Sequence, residues 1–252
     1  MIDFGPIAHF GLLLVRPGML VMAAPVFGGT YAPTPTRAGL VVLLAFMLTP
    51  LVAVPDIAST VGLGIVIVRE MAIGFAIALA IRALVAGAEL GGQLSGMQLM
   101  LSYGSVIDPQ GGVKNNIIGS IYGNLTVLTF LAINGHHAVI RSLVSSYAAM
   151  PIGPGHVDPS LARSVMQMLG VVFVLGLRLA APLIVVLLIV ELATGLVSRS
   201  APALNLMAVG TPIRLVVGLL VVAALVPLIP GVITRFTSIV VELGLQTASA
   251  FR

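Results

Sequence analysis

Residues 165–197 carry only two charges, Arg178 and Glu191, in an otherwise strongly apolar run that contains Pro182. A run of that length and character is expected to form a helix buried in lipid or in protein. Further apolar blocks cover residues 7–27, 40–54, 61–86, 117–133 and 206–229. No period-two alternation of apolar and polar residues appears, so the expected fold class is all-α. Composition agrees: 8% of residues are charged and mean hydropathy is +1.17, whereas a soluble domain is about 25% charged. The chain therefore reads as a membrane or membrane-complex protein built of kinked helices.

The blocks are not simple spans. Arg16-Pro17 and Pro25 interrupt the first, where proline removes a backbone hydrogen bond and kinks a helix. The second covers roughly 22 Å at 1.5 Å per residue, less than a ~30 Å hydrocarbon core. The third carries Arg69, Glu70 and Arg82, and Pro227 with Pro230 is expected to close the last. A moderately amphipathic tail follows. If six spans are supposed, one side receives Arg37, Lys114 and Arg199 and the other Arg141, Arg163, Arg235 and Arg252, which is no positive-inside bias. Helices partly held inside protein account for that. The N-terminus carries Asp3 and no basic region, so no cleavable signal peptide is expected. The Pro- and Gly-rich stretch at residues 151–159 is the expected boundary between an N-terminal part, residues 1–155, and a C-terminal helical hairpin with its tail, residues 156–252.

Between the two apolar halves lies ELGGQLSGMQLMLSYGSVIDPQGG, from Glu89 to Gly112. On a helix Leu90, Leu94, Met97 and Leu101 form one stripe, and Ser95, Gln98 and Ser102 another. Gly87 with Gly91, and Gly92 with Gly96, are four residues apart, a spacing that lets other backbones approach closely. The helix is expected to stop near Tyr103-Gly104, and Asp108-Pro109 and Gly111-Gly112 signal a turn. Two readings stand. One is a tight packing seam followed by an ordinary connection. The other is a helix that lines a wet passage through Ser95, Met97, Gln98, Met100 and Ser102, with the loop hanging into it.

Charges lie where they are expensive: Arg16, Arg69, Glu70, Arg82, Glu89, Arg178, Glu191 and Arg214 sit in or beside apolar blocks. Each costs about 2.5–3.5 kcal/mol at a bilayer centre on insertion scales. Helical neighbours are three or four apart. Arg69 and Glu70 are adjacent, Arg82 and Glu89 lie two turns apart, and Glu191 has no cation at helical spacing. Partners must come from other helices of the chain, from other subunits, or from a water-filled lumen.

Several function classes drop out. The chain has no cysteine, hence no disulfide, thiolate metal site or cysteine nucleophile. His136 and His137 are consecutive and face different ways on a helix, and His9 and His156 lie in unrelated segments, so no metal site or other cofactor is expected. Ser145 and Ser146 have no visible base, and no nucleotide motif occurs, so the chain is not expected to be an enzyme. No basic run points to nucleic acid. A small-solute secondary transporter remains as an alternative, although the internal repeat common in that class is not visible.

The stretch GGQLSGMQLMLSYGSVIDPQGG resembles a segment of the FliR family of flagellar export proteins, which has counterparts in the virulence-type (injectisome) secretion systems. Arg16-Pro17, Ala24-Pro25-Val26-Phe27-Gly28 and Arg37 are similar to that family's opening. Ile133-Asn134-Gly135-His136-His137, Ser146-Tyr147 and Pro151 are similar to its middle. Arg199 to Asn205, Gly210, Pro212 and Gly218 are similar to its C-terminal signature, with Ala203 where the family often has Gln. The resemblance implies a FliP-like N-terminal part and a FliQ-like hairpin. It implies a structural and gating subunit of the type III export gate at the bacterial inner membrane, in the flagellar basal body. The partners implied are FliP and FliQ, with FlhB and FlhA nearby, and the cargo is unfolded flagellar protein. A pore that passes unfolded chains must be closed at rest, and the loop, with its Asp108-Pro109 turn, is expected to plug it: Tyr103, Val106 and Ile107 supply apolar bulk, while Gly104, Pro109, Gly111 and Gly112 keep it from continuing as helix.

Overall fold

The computed structural model describes residues 5–28, 32–53, 55, 59–101, 117–156, 158–200 and 206–251. Among these the chain is all-helical. In order come α1 (Gly5–Ala23), α2 (Thr34–Leu48), α3 (Thr60–Gln98), α4 (Ile117–Ala132), α5 (Gly135–Ala149), α6 (Ser160–Ser200) and α7 (Leu206–Leu225). A 3-10 turn, Val226–Leu228, then leads into α8 (Ile229–Ser249).

Three expectations are corrected. The third apolar block and the central helix are one continuous helix, the 39-residue α3, with no break between Ala86 and Glu89. Gly74, Gly87, Gly91 and Gly92 do not interrupt it: they are buried where other helices press close. Pro227 and Pro230 follow the end of α7 at Leu225, as expected, but they do not end the apolar span. They occupy the 3-10 turn and the first turn of α8, where a missing backbone N–H costs nothing, and the apolar helix runs on from Gly210 to Ser249. Among the described residues, the six supposed spans reduce to three helices long and apolar enough to cross a membrane, or four if the broken pair α4–α5 counts as one.

The C-terminal end of α3 comes earlier than Tyr103-Gly104, at Gln98. Met100 adopts a left-handed φ of 59°, and its N–H donates to the Met97 carbonyl while that of Leu101 donates to the Gly96 carbonyl. This is the Schellman arrangement, normally built on glycine. A methionine there is strained by roughly 1 kcal/mol. Met100→Gly is therefore expected to raise the melting temperature of the purified protein, and an unchanged or lower value rules the strain out. At the α4–α5 junction Asn134 takes φ 60°, a conformation asparagine tolerates, and Gly135 lies flat against the Phe130 ring.

The fold divides into two compact units. One comprises Met1–Leu84, Phe130–Val171 and Arg235–Arg252, and the other Val85–Thr129 and Val172–Thr234. These units cut across the sequence boundary at residues 151–159, because α3, α6 and α8 each contribute to both. The first unit buries Leu13, Leu20, Ile73, Ile81, Leu143 and Phe236. The second buries Leu99, Tyr122, Leu175, Leu183 and Leu187.

Candidate functional site

In the first unit the charged residues of the apolar blocks find one another. Arg16 of α1 and Glu70 of α3 are both fully buried, at 0% exposure. The Arg16 guanidinium meets the carboxylate with two bonds: Nε to Oε2 at 2.7 Å and Nη2 to Oε1 at 2.9 Å. Its Nη1 donates to Ser146 Oγ at 2.8 Å and its Nη2 also to the Met150 carbonyl at 3.0 Å. The plane stacks on Tyr147, with Cζ 3.9 Å from the ring centroid. A bidentate, stacked guanidinium is a role lysine cannot fill. The helices touch here: a Cβ at Gly74 of α3 falls 2.4 Å from the Arg16 carbonyl. Arg82 of α3 donates from Nε to the carbonyl of Ala23, the last residue of α1, at 2.8 Å, placing a cation on a helix C-terminus. The adjacent pair, expected to point apart, does make a loose contact, with Arg69 Nη1 3.9 Å from Glu70 Oε1.

In the second unit α3 is pressed between two helices. A Cβ at Gly91 comes 2.8 Å from Leu179 Cβ and 2.9 Å from the Gly176 carbonyl, both on α6. At Gly87 the nearest atoms are Leu175 Cδ2 at 3.0 Å and the Val172 carbonyl at 3.1 Å. On the other side, a Cβ at Gly92 falls 2.5 Å from Gly119 Cα of α4. Gly96 is buried, and Glu89 lays its side chain against Gly123 of α4.

The polar stripe is largely satisfied within the chain. Ser95 is fully buried and donates its hydroxyl to the Gly91 carbonyl at 2.8 Å. Gln98 Oε1 accepts from Arg214 Nη2 at 2.6 Å, and Arg214 Nη1 bonds Glu191 Oε1. Met97 and Met100 are exposed. Ser102 and the whole of Tyr103, Val106, Ile107, Asp108, Pro109, Gly111 and Gly112 lie outside the described residues. Met100, Glu191, Thr194, Gly195, Thr211 and Arg214 line an open groove of about 320 Å³. Arg178 is exposed on α6.

Glu191 thus has its cation on another helix. The sequence held a signal for this: Glu191 lies nine residues before the end of α6 (200 − 191) and Arg214 eight after the start of α7 (214 − 206), so an antiparallel hairpin puts them level. The side chain of Glu191 is 48% exposed and that of Arg214 18%, so the pair is weaker than a buried one. Its disruption by Glu191→Ala is expected to cost about 1–2 kcal/mol, between the surface and buried limits. The charge-exchanged double variant Glu191→Arg/Arg214→Glu should recover part of it. Identical melting of Glu191→Ala and wild type would show that the pair contributes nothing.

Over residues 7–239 the chain matches the sequence family described as Bacterial export proteins, family 1. It is similar to the flagellar biosynthetic protein FliR of Pectobacterium carotovorum subsp. carotovorum, with 31% identity over 226 residues, 89% of this chain and 86% of that one. The FliR of Escherichia coli (strain K12) is 31% identical over 218 residues, 86% of this chain and 83% of that one. The FliR of Caulobacter vibrioides is 32% identical over 215 residues, 84% of this chain and 86% of that one.

Proposed function

The chain belongs to the FliR proteins of Bacterial export proteins, family 1, and from that membership we infer that it is a membrane-embedded structural and gating subunit of the flagellar export apparatus. It forms, with FliP and FliQ family subunits, the inner-membrane pore through which unfolded flagellar proteins leave, with FlhB and FlhA family proteins nearby. Residues 1–155 correspond to a FliP-like part and residues 156–252 to a FliQ-like hairpin. The chain itself does no chemistry: it holds and gates a passage.

The observation that carries the reading is the length over which α6 leaves apolar side chains uncovered. Met166, Phe173, Leu177, Leu188, Leu192 and Val197 are all exposed. From Met166 to Val197 the helix rises roughly 47 Å at 1.5 Å per residue. A hydrocarbon core of ~30 Å cannot cover that length even at a tilt of about 40°. Other protein must cover the remainder, as it does for a subunit of a larger assembly. Satisfied charges in the first unit favour a packed scaffold over a solute path.

The test is to purify the protein from its native membrane and identify the chains that accompany it, alongside secretion of flagellar subunits in a deletion strain carrying the gene. FliP and FliQ family chains and restored secretion are expected. A stable monomer or homodimer that restores nothing overturns the reading. The sequence-based expectation for residues 103–112 has its own test. Replacing residues 105–112 by a short Gly-Ser linker should leave assembly intact but make resting cells permeable to ions and small dyes. Cells as tight as wild type that still swim show that the segment is not the plug.

A further inference from the structure

The segment that follows α8 is tied to the rest of the first unit through its main-chain carbonyls. Arg69 of α3 donates from Nε to the Phe251 carbonyl at 2.7 Å. Its Nη1 donates to the carbonyls of Pro151 and Gly153, each at 2.9 Å. The N–H of Asp158 donates to the Ala250 carbonyl at 2.8 Å. Residues 250–251 therefore lie across the connection between α5 and α6, tied to it directly at Asp158 and through one guanidinium at residues 151 and 153. All of these groups belong to the first compact unit.

The approach is close. A Cβ at Gly155 falls 2.4 Å from Arg69 Nε, so only glycine lets the connection pass the guanidinium at this distance. The neighbouring residues on α3 and the connection extend the arrangement. Glu70 receives Arg16, and Arg16 takes the Met150 carbonyl. The carbonyls of residues 150, 151 and 153 are thus all gripped by arginines, Met150 from α1 and the other two from α3. Carbonyl acceptors carry no side-chain identity, so the grip depends on chain path and on the fork geometry of arginine.

We propose that residues 250–251 form a strap that holds the α5–α6 connection closed, with Arg69 as its clasp. Releasing the strap opens residues 151–156 while the rest of the chain stays folded. The expected behaviour is that of a single coupled element. Removing the strap and removing the clasp each open the connection, and doing both opens it no further.

The chain has no native cysteine, so a single introduced one reports without background. Ile152 is 4% exposed and serves as the reporter in the connection; Leu183, at 0%, reports on the second unit. The measurement is the rate of maleimide labelling in native membranes. Ile152→Cys should label slowly in the otherwise intact protein. Labelling should rise about tenfold or more with Arg69→Gln, and to a similar degree on removal of residues 250–252, because each breaks a charge-assisted hydrogen bond that opposes local opening. Combining the two should add little. Gly155→Val, which displaces the guanidinium without removing it, should give the same rise. Leu183→Cys should stay protected throughout.

The strap is overturned if removing residues 250–252 leaves Ile152→Cys protected while Arg69→Gln exposes it. It is equally overturned if the two effects multiply, since independent contacts behave so. A rise at Leu183→Cys in the same variants also counts against it, because local release must leave the second unit closed.

Discussion

Replacing Arg16 by methionine is expected to be the most damaging single substitution in the first unit. It leaves Glu70 fully buried with only the loose 3.9 Å contact to Arg69 in place of the paired bidentate contact at 2.7 and 2.9 Å. Removing one partner of a buried pair costs about 3–5 kcal/mol, because the other charge stays desolvated and uncompensated. That is a large part of the 5–15 kcal/mol by which a typical domain is stable. The Ser146 hydroxyl and the Met150 carbonyl lose a donor as well. The double variant Arg16→Met/Glu70→Leu should recover much of the loss, since two apolar residues of similar volume carry no desolvation penalty. Tyr147→Phe should be mild, because the Tyr147 hydroxyl makes no hydrogen bond among the described residues and the ring face that stacks on Arg16 is retained. Thermal melting of the detergent-purified protein, read beside flagellar secretion, checks the order. Arg16→Met melting within a degree or two of wild type, or a double variant worse than either single one, would contradict it.

The same cluster marks where sequence reasoning stops. That Arg16 and Glu70 need partners follows from their apolar surroundings, and that the partners are not helical neighbours follows from spacing. Which residues they are does not follow. Arg16 and Glu70 are 54 residues apart, and Arg16 and Ser146 are 130 apart. No local pattern encodes a pairing made only when α1, α3 and α5 come together. Breaks were legible where a residue type announces them, as at Asn134-Gly135, and illegible where the residue is unusual for its conformation, as at Met100. Pro227 and Pro230 marked the end of α7 but not of the apolar span, because a proline's cost depends on place: none in a first turn, much in the interior. The extent of α6 was plain because its long apolar run outweighs the single interior proline, Pro182. The polar stripe of α3 was visible, but whether a serine or glutamine faces water or bonds its own chain depends on the neighbour. For Gln98 that neighbour is Arg214, which lies 116 residues away.

Along α3 the glycines should respond to a single added methyl group in a graded way that their distances set. At Gly92 the new Cβ meets backbone, Gly119 Cα at 2.5 Å and the Ile118 carbonyl at 2.7 Å, and backbone cannot step aside without moving α4. At Gly91 it meets Leu179 Cβ at 2.8 Å and the Gly176 carbonyl at 2.9 Å on α6. At Gly87 its nearest neighbour is the far end of a flexible side chain, Leu175 Cδ2 at 3.0 Å, with Leu175 Cβ and the Val172 carbonyl at 3.1 Å behind it. Overpacking of this kind costs typically 1–3 kcal/mol. Working against it is the gain in helix propensity from glycine to alanine, about 1 kcal/mol. The balance puts Gly92→Ala well below wild type in stability, Gly91→Ala next and Gly87→Ala near neutral. Gly170 of α6, whose added Cβ would meet nothing within 4 Å among the described residues, should gain from the same change in the isolated protein. Leucine at Gly91 or Gly92 exceeds what either neighbouring helix can absorb, so the helices must separate and secretion and motility should fall even where the protein still inserts. Melting curves of the alanine series together with swarming of the leucine variants decide it. If Gly92→Ala is as stable as Gly170→Ala, or if leucine at both Gly91 and Gly92 leaves swarming intact, then α3 is not held between α4 and α6 by close backbone approach.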